Sequence, residues 1–223
     1  MNCNGCFIGT GSDNLIITPY VNLGGGEGEP YTDEHDGHHL IGVGESNTII
    51  GRQNSCIVNG SNNLIKSGGG STILFGSWNK IWSVAGDNLM GGQENQIGTD
   101  TSVCDTTYAI ILNGRGNRVV TSNIPSGGWN GMVLNGQFND IIGFNNYATI
   151  VNGYINKITG FNNYAIIANG YANKIANGSD SAACAVIVNG VGNRIGADTA
   201  LTSANFTFIG NGTNNQIHNT QKN

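Results

Sequence analysis

Two neighbouring stretches decide the fold of this chain: residues 147–158 read YATIVNGYINKI, and residues 164–175 read YAIIANGYANKI. They begin seventeen residues apart and share one pattern. An aliphatic residue precedes a glycine by three positions, an asparagine follows the glycine by three, and an isoleucine follows it by five. Self-similarity at a short period indicates a solenoid, in which each copy forms one coil and stacks on the next.

The same pattern recurs along the whole chain. Eleven glycines have an asparagine three residues later and an isoleucine or valine five residues later: Gly11, Gly44, Gly60, Gly76, Gly92, Gly114, Gly136, Gly153, Gly170, Gly190 and Gly212. β-type aliphatic residues on both sides of these motif glycines predict two short strands per copy. The predicted fold class is therefore all-β: residues 1–223 form a single parallel β-solenoid of about eleven coils, with an inserted loop at residues 18–39.

We number positions in each copy relative to its motif glycine, so that the aliphatic residue is at −3, the asparagine at +3 and the isoleucine at +5. Because side chains alternate between the faces of a strand, all three are expected to point into a narrow core. A buried amide needs hydrogen-bond partners, which favours a structural ladder of stacked asparagines over a ligand site. The predicted core ladder comprises Asn63, Asn117, Asn139, Asn156, Asn173 and Asn193.

Composition excludes several classes of function. The net charge is −5, and the nine Lys and Arg residues are scattered, so we predict no nucleic-acid partner. No stretch approaches the roughly 20 apolar residues of a membrane span. The first residues, MNCNGCFIG, lack the basic-then-apolar pattern of a signal peptide. Either the chain is not exported by that route or the sequence is a fragment.

The five cysteines are an odd number spread through a repeat protein. We interpret them as reduced thiols of a chain made in a cytoplasm. Cys3 and Cys6 form a CxxC, half of a zinc site, but no second pair has the matching spacing. Small apolar residues at the start of the first strand are the favoured interpretation, and we predict no metal site and no cofactor.

The two predicted strands differ on their outward faces. The second strand is mostly polar there, as at Lys80, Lys157 and Lys174, whereas the first is apolar at position −2. Contiguous apolar patches larger than a few hundred Å² are uncommon on monomers, so this column needs a partner. We predict a homotrimer around a shared axis, with the subunit interface formed by Val58, Leu74, Met90, Leu112, Leu134, Val151 and Val188.

The unit at residues 147–160, YATIVNGYINKITG, resembles the head repeat of trimeric autotransporter adhesins. Ile150 stands at the family's valine and Gly153 at its first glycine. Asn156 stands at its serine, Ile158 at its alanine and Gly160 at its second glycine. The coils here are longer, asparagine replaces serine, and the family's membrane anchor is not found. Similar repeats occur in fibre and tip proteins of bacteriophages, which assemble in a cytoplasm. The resemblance covers nearly the whole chain and implies a left-handed, trimeric β-roll.

Several aromatic residues are candidates for binding carbohydrate, because exposed rings beside polar side chains can stack on sugars while the polar groups bond hydroxyls. Four lie in the turn after the motif glycine, one follows a second strand and one lies in a long insertion: Trp78, Phe138, Tyr154, Tyr171, Trp82 and Trp129. The alternative is that the rings stack on each other and stabilise the rod. That alternative is favoured for Tyr154 and Tyr171.

The loop at residues 18–39 contains the densest ionisable cluster: Asp33, Glu34, His35, Asp36, His38 and His39. Such side chains can ligate a divalent metal, but the spacing matches no known site, and a solubilising loop is the favoured interpretation. Two of the carboxylates could serve glycosidic chemistry. No second acidic cluster supports that role.

The leading hypothesis is a protein of a virion or cell surface that does not act as an enzyme. It would be a structural, receptor-binding tail-fibre or tip domain, or a bacterial adhesin, that presents loops to a cell-surface polysaccharide and contacts other fibre or baseplate proteins. The first alternative is a polysaccharide-degrading tailspike, against which the sparse carboxylates argue. The second is an ice-binding or purely structural spacer solenoid, against which the lack of a Thr-x-Thr column argues.

Overall fold

The structure, a computed structural model, describes residues 5–18, 37–51, 54–67, 69–83, 87–89, 91–98, 108–120, 130–143, 145–160, 162–177, 184–196 and 206–218. The described residues are all-β and form a parallel β-solenoid, which confirms the predicted fold class. Each coil contributes one strand before its motif glycine and one strand after it, so that two 11-stranded sheets enclose the core.

The first sheet contains the strands that precede the motif glycines, in chain order. They are β1 (Phe7–Ser12), β3 (His39–Glu45), β5 (Ser55–Ser61), β7 (Thr72–Ile73), β9 (Asn88–Leu89), β11 (Ile110–Ile111), β13 (Gly131–Val133), β16 (Ala148–Ile150), β19 (Ala165–Ile167), β21 (Ala185–Ile187) and β23 (Thr207–Ile209).

The second sheet contains the strands that follow the motif glycines. They are β2 (Leu15–Ile17), β4 (Thr48–Gly51), β6 (Leu64–Ser67), β8 (Lys80–Ser83), β10 (Gln96–Ile97), β12 (Arg118–Val120), β14 (Asp140–Ile142), β17 (Lys157–Gly160), β20 (Lys174–Asn177), β22 (Arg194–Ile195) and β24 (Gln216–Ile217). A short third sheet pairs β15 (Asn145–Asn146) with β18 (Asn162–Asn163). Identical positions of successive copies are paired in register, as Ile158 is with Ile175.

The turn between the two strands of a coil requires glycine. At Gly153 the backbone has φ 113°, a region that residues with a side chain rarely adopt. A Cβ there would also collide with the carbonyl oxygen of Gly170 and with the side-chain amide of Asn156. The motif glycine therefore lets successive coils approach closely enough for their backbones to bond.

The core is built from the positions that the repeat predicts to be inward. Side chains at −3 and +5, such as Ile150 and Ile158, are fully buried through the inner coils. Burying a Val, Leu or Ile side chain contributes about 1.5–3 kcal/mol, so stacking these two aliphatic columns supplies the main driving force for folding.

The asparagines at +3 form a further buried column beside the aliphatic columns at −3 and +5. Asn156 is fully buried, its Nδ2 donates to Gly170 O at 2.9 Å, and its Oδ1 accepts from the Asn173 N–H at 3.0 Å. The same contacts recur from coil to coil, as when Asn193 Nδ2 donates to Gly212 O at 2.8 Å. The amides thus join each coil to the next through both a donor and an acceptor.

A further inward column lies at position −5, which sequence reasoning missed. In the later coils it holds small residues such as Ala148 and Ala165. In the earlier coils it is polar: His39, Ser55, Ser71 and Asp87 are all at most 2% exposed. The Asp87 carboxylate accepts from the Ala109 N–H at 2.7 Å. Side-chain oxygens therefore bond adjacent coils here as they do in the asparagine ladder.

Candidate functional site

Trp78, Lys80 and Trp82 lie at every second residue of strand β8 and the turn before it. Side chains at every second residue of a strand share one face, here the outward face. Trp78 occupies the turn position +2, where it has φ 60°, and it is 51% exposed. Lys80 is exposed and Trp82 half-buried, and the Lys80 Nζ lies 5.5 Å from the centre of the Trp82 ring. This distance is that of a cation–π contact, which holds the ammonium group over the Trp82 indole.

The next coil completes a cleft at this face. A space of about 290 Å³ is lined by Trp78 and Lys80 from one coil and by Glu94, Asn95 and Gln96 from the next. Lys80 pairs in register with Gln96, which places the two polar side chains side by side. The Glu94 N–H donates to Ser77 O at 3.0 Å, and this bond fixes the turn that presents the carboxylate.

The cleft combines the groups that recognise a sugar. The exposed indole of Trp78 forms an apolar wall, and the Lys80 ammonium, the Glu94 carboxylate and the Gln96 amide can bond hydroxyl groups. Binding sites in proteins are commonly apolar clefts with a few placed polar groups of this kind. Glu94 is the one carboxylate among the lining residues that the structure describes. We name this surface, formed by Trp78, Lys80, Glu94, Asn95 and Gln96, the tryptophan cleft.

The other predicted aromatic residues lie elsewhere along the rod. Phe138 and Tyr154 make an edge-to-face contact at 5.8 Å, and Tyr154 and Tyr171 stack at 5.6 Å with an interplanar angle of 12°. All three rings remain exposed. Phe138 is three coils beyond Trp78. Because neighbouring strands lie about 4.8 Å apart, the two residues are separated by roughly 14 Å. The structure thus gives two aromatic surfaces and not one, and Trp129 lies outside the described residues.

A third aromatic column, at position −6, was not predicted. Tyr147 and Tyr164 stack at 5.1 Å with an interplanar angle of 4°. Tyr108 and Phe206 occupy the same position in other coils and are 68% and 82% exposed. The signal was present in the sequence, since both stretches that define the repeat begin with this tyrosine.

The predicted subunit interface lies on the outward face of the first sheet. Val58, Val151 and Val188 are 41%, 37% and 40% exposed. Three further members of the set, Leu74, Leu112 and Leu134, are half-buried, and Met90 lies outside the described residues. In contrast, the second sheet carries an ion pair on its outward face, between Arg118 Nη2 and Asp140 Oδ2 at 3.2 Å. One face of the solenoid is therefore apolar and the other polar.

The prediction that all the cysteines are reduced thiols holds for two of the described cysteines and fails for one. Cys6 is disulfide-bonded, so for this residue the prediction was wrong, and cysteine usage no longer argues for a reducing compartment. Cys56 and Cys184 are free. Burial raises the pKa of the Cys56 thiol, which keeps it protonated and slow to react. Cys3 and Cys104 lie outside the described residues.

The acidic and histidine cluster of the inserted loop is only partly described. Residues 33–36 lie outside the described part of the chain. His39 is not in a loop: it is the first residue of β3 and is buried in the −5 column. Among the residues that the structure describes, no three His, Cys, Asp or Glu side chains group closely enough to hold a metal ion.

The chain matches no protein-family model, no curated protein and no solved structure. In the described ranges, no helix is long and apolar enough to cross a membrane.

Proposed function

We propose that this chain is a structural, receptor-binding domain of a fibre or tip, on a virion or a cell surface, and that its tryptophan cleft binds cell-surface polysaccharide. The tail fibre or tip of a phage-like particle is preferred over a bacterial adhesin. A rod suits such a role, because strand pairing joins each coil to the next in both sheets. Function on this scaffold depends on what its surfaces present.

The observation that carries the proposal is the tryptophan cleft itself. Trp78, in the turn before β8, is 51% exposed, so the face of its indole is accessible to a ligand. The neighbouring ammonium, carboxylate and amide supply both donors and acceptors for the hydroxyl groups of a sugar. Stacking on an indole and bonding to such groups together favour a carbohydrate over a purely apolar ligand.

Binding is favoured over cleavage at this cleft. Glycosidases use two carboxyl groups placed about 5–9.5 Å apart on either side of the scissile bond. Among the described residues that line the cleft, Glu94 is the one carboxylate, and the nearby Lys80 and Gln96 do not replace the second. The polysaccharide-degrading tailspike therefore remains the alternative that the experiment must separate.

We propose further that the apolar face of the first sheet assembles three chains into a homotrimer. The column at position −2 leaves Val58, Val151 and Val188 about 40% exposed in a single chain. A closed ring of three copies would cover this column and leave the tryptophan cleft, on the other sheet, outside. Other fibre or baseplate proteins are the further partners that this role implies.

The proposed location is extracellular, on a particle or cell, after synthesis in a cytoplasm. The disulfide at Cys6 agrees with oxidising surroundings at the site of action.

A glycan array combined with a reducing-sugar assay tests the function. We expect the protein to retain a subset of surface polysaccharides without releasing new reducing ends, and Trp78→Ala to lose that retention. Tyr147→Ala is the matched control, because it removes an exposed ring from a different corner of the rod. New reducing ends would establish the tailspike instead, and an array without any retained glycan would refute the proposal.

A further inference from the structure

The corner at which the chain passes from the first sheet to the second has the same length in every copy of the repeat. Between position −3 and position +5 no copy gains or loses a residue. The backbone pairing of this corner repeats as well, since position +1 bridges position +1 of the next coil from Ser61 through to Thr213. Equivalent residues of successive coils therefore stand one above another along the rod, about 4.8 Å apart.

An asparagine occupies position −1 of this corner in six successive coils, and all six are exposed. We call this column the amide ribbon: Asn113, Asn135, Asn152, Asn169, Asn189 and Asn211. The fold does not require asparagine there, because earlier coils have Val43, Phe75 and Gly91 at the same position. None of the six has a positive φ, the backbone region that would favour asparagine. The repeated amide is therefore a feature of the surface and not a need of the coil.

Hydrogen bonds fix the backbone of the ribbon and leave its side chains available. The Asn135 N–H donates to Val151 O at 3.0 Å, and the Asn135 carbonyl oxygen accepts from Asn139 Nδ2 at 3.3 Å. The backbone of Asn152 makes the same two contacts. The carboxamides of Asn135 and Asn152, and those of the next two ribbon members, form hydrogen bonds with no other described residue. Each can therefore donate two hydrogen bonds and accept others from a ligand.

The surroundings of the ribbon are uncharged over most of its length. In the four coils with motif glycines Gly136 to Gly190, positions +1 and +2 carry no Lys, Arg, Asp or Glu. The Tyr154 and Tyr171 rings at +1 stack on each other at 5.6 Å, so each covers one face of the other. A charged ligand meets no opposite charge at these positions, whereas hydroxyl groups meet an amide donor and acceptor in every coil.

The amide ribbon continues the tryptophan cleft along the same corner of the rod. Trp78 and Glu94 occupy position +2 of two successive coils, and Asn113 begins the ribbon in the coil that follows. The bridge between Gln93 and Arg115 joins the last coil of the cleft to the first coil of the ribbon. A ligand that extends from the cleft in this direction along the rod therefore meets the ribbon next.

We infer that the amide ribbon binds a linear, neutral polysaccharide that lies along the rod, with the tryptophan cleft at one end of the bound segment. The inference rests on the proposed carbohydrate binding and names the class of carbohydrate. A chain of repeating, hydroxyl-bearing units matches a column of repeating amides, because a chain that passes over one more coil meets one more amide. Linked units add contacts without a further loss of translational freedom, so affinity should rise with chain length.

Affinity electrophoresis tests the inference in gels that contain a polysaccharide. The neutral, linear probes are hydroxyethylcellulose, glucomannan and dextran, and the acidic probe is hyaluronan. We expect at least one neutral polymer, and not hyaluronan, to retard the unaltered chain. Replacing Asn135, Asn152 and Asn169 together by alanine should weaken that binding about 100-fold, from about fivefold for each hydrogen bond of ~1 kcal/mol.

Single substitutions provide the matched comparison. Asn152→Ala should weaken binding of the retarding polymer about fivefold, the effect of one hydrogen bond. Asn88→Ala should leave binding unchanged, because it truncates an exposed asparagine on the outward face of the first sheet, away from the ribbon. Circular dichroism checks that each variant keeps the β-solenoid, which is expected because the truncated side chains are exposed.

Fragments of the retarding polymer separate the ribbon from the cleft. The Kd of the unaltered chain should fall as the fragments lengthen, whereas the triple alanine variant should bind long and short fragments alike. A triple variant that keeps the length dependence would overturn the inference, as would retardation by hyaluronan or by none of the three neutral polymers. None of these results decides the proposed function, which depends on whether Trp78→Ala loses the glycans retained on the array.

Discussion

Replacing Asn156 with alanine should destabilise the solenoid far more than the same replacement four residues earlier. Asn156 is fully buried, and its Oδ1 accepts from the Asn173 N–H at 3.0 Å. Its Nδ2 donates to Gly170 O at 2.9 Å and to Asn152 O at 3.3 Å. Asn156→Ala removes all three contacts from the interior, whereas Asn152→Ala truncates an exposed side chain on the same coil.

The size of the destabilisation depends on which hydrogen-bond partners of Asn156 have no other partner. The Asn173 N–H is left buried without an acceptor, at a cost of about 1–3 kcal/mol. The Gly170 carbonyl keeps the bond from the Tyr154 N–H at 3.0 Å, so only the roughly 1 kcal/mol of an ordinary hydrogen bond is lost there. The free energy of unfolding should fall by roughly 2–4 kcal/mol for Asn156→Ala and by no more than about 0.5 kcal/mol for Asn152→Ala.

Guanidinium unfolding followed by circular dichroism measures the difference as a shift in midpoint at constant slope. Hydrogen exchange adds a local readout, because the Asn173 amide should exchange faster in Asn156→Ala and unchanged in the control. Equal midpoints for the two variants would refute the ladder as a stabilising element. So would an unaltered exchange rate at Asn173.

Four further changes probe the same structure. Ile158→Asp buries an unpaired charge and should cost several kcal/mol in thermal unfolding, while Lys157→Asp should change little, and equal losses would contradict the inward and outward assignment. Ile155→Asn should stabilise by about 1 kcal/mol in the same assay, since a β-branched residue there has φ 57°. Asp87→Ala should cost about 1–3 kcal/mol by leaving the Ala109 N–H without its acceptor, and Asp87→Asn should cost less. Replacing Leu112, Leu134 and Val151 together by lysine should dissociate or aggregate the assembly, as measured by light scattering. A monodisperse monomer of the unaltered chain would refute the trimer.

The repeat predicted the fold well because one motif determines every coil. A glycine with positive φ, a buried amide and two aliphatic columns follow from alternation and from the need to pair buried polar groups. The −5 column was missed because its chemistry changes along the chain, from His39 through Asp87 to Ala148, so no single residue type marks it. Alternation alone would have found it, since −5 shares a face with −3.

The candidate site was predicted only in part, for a related reason. Trp78 and Trp82 stand out in the sequence as rare residues beside a motif. Glu94 and Gln96 are distant in sequence and reach the cleft only through the register of adjacent coils, which pairs Lys80 with Gln96. The segments between successive copies differ in length. The structure is therefore needed to show which residues of adjacent coils pair. Nothing in the sequence pattern predicted that Cys6 is disulfide-bonded.

Fluorescence of Trp78 tests the proposed function most directly. A variant with Trp82→Phe and Trp129→Phe leaves Trp78 as the only tryptophan of the three in the chain. Titration with a glycan that the array retains should shift its emission to shorter wavelength, because a stacked sugar excludes water from an indole that is now half-exposed. The shift should saturate at the same concentration as binding. Saturable binding of that glycan with no change in Trp78 emission would contradict the account.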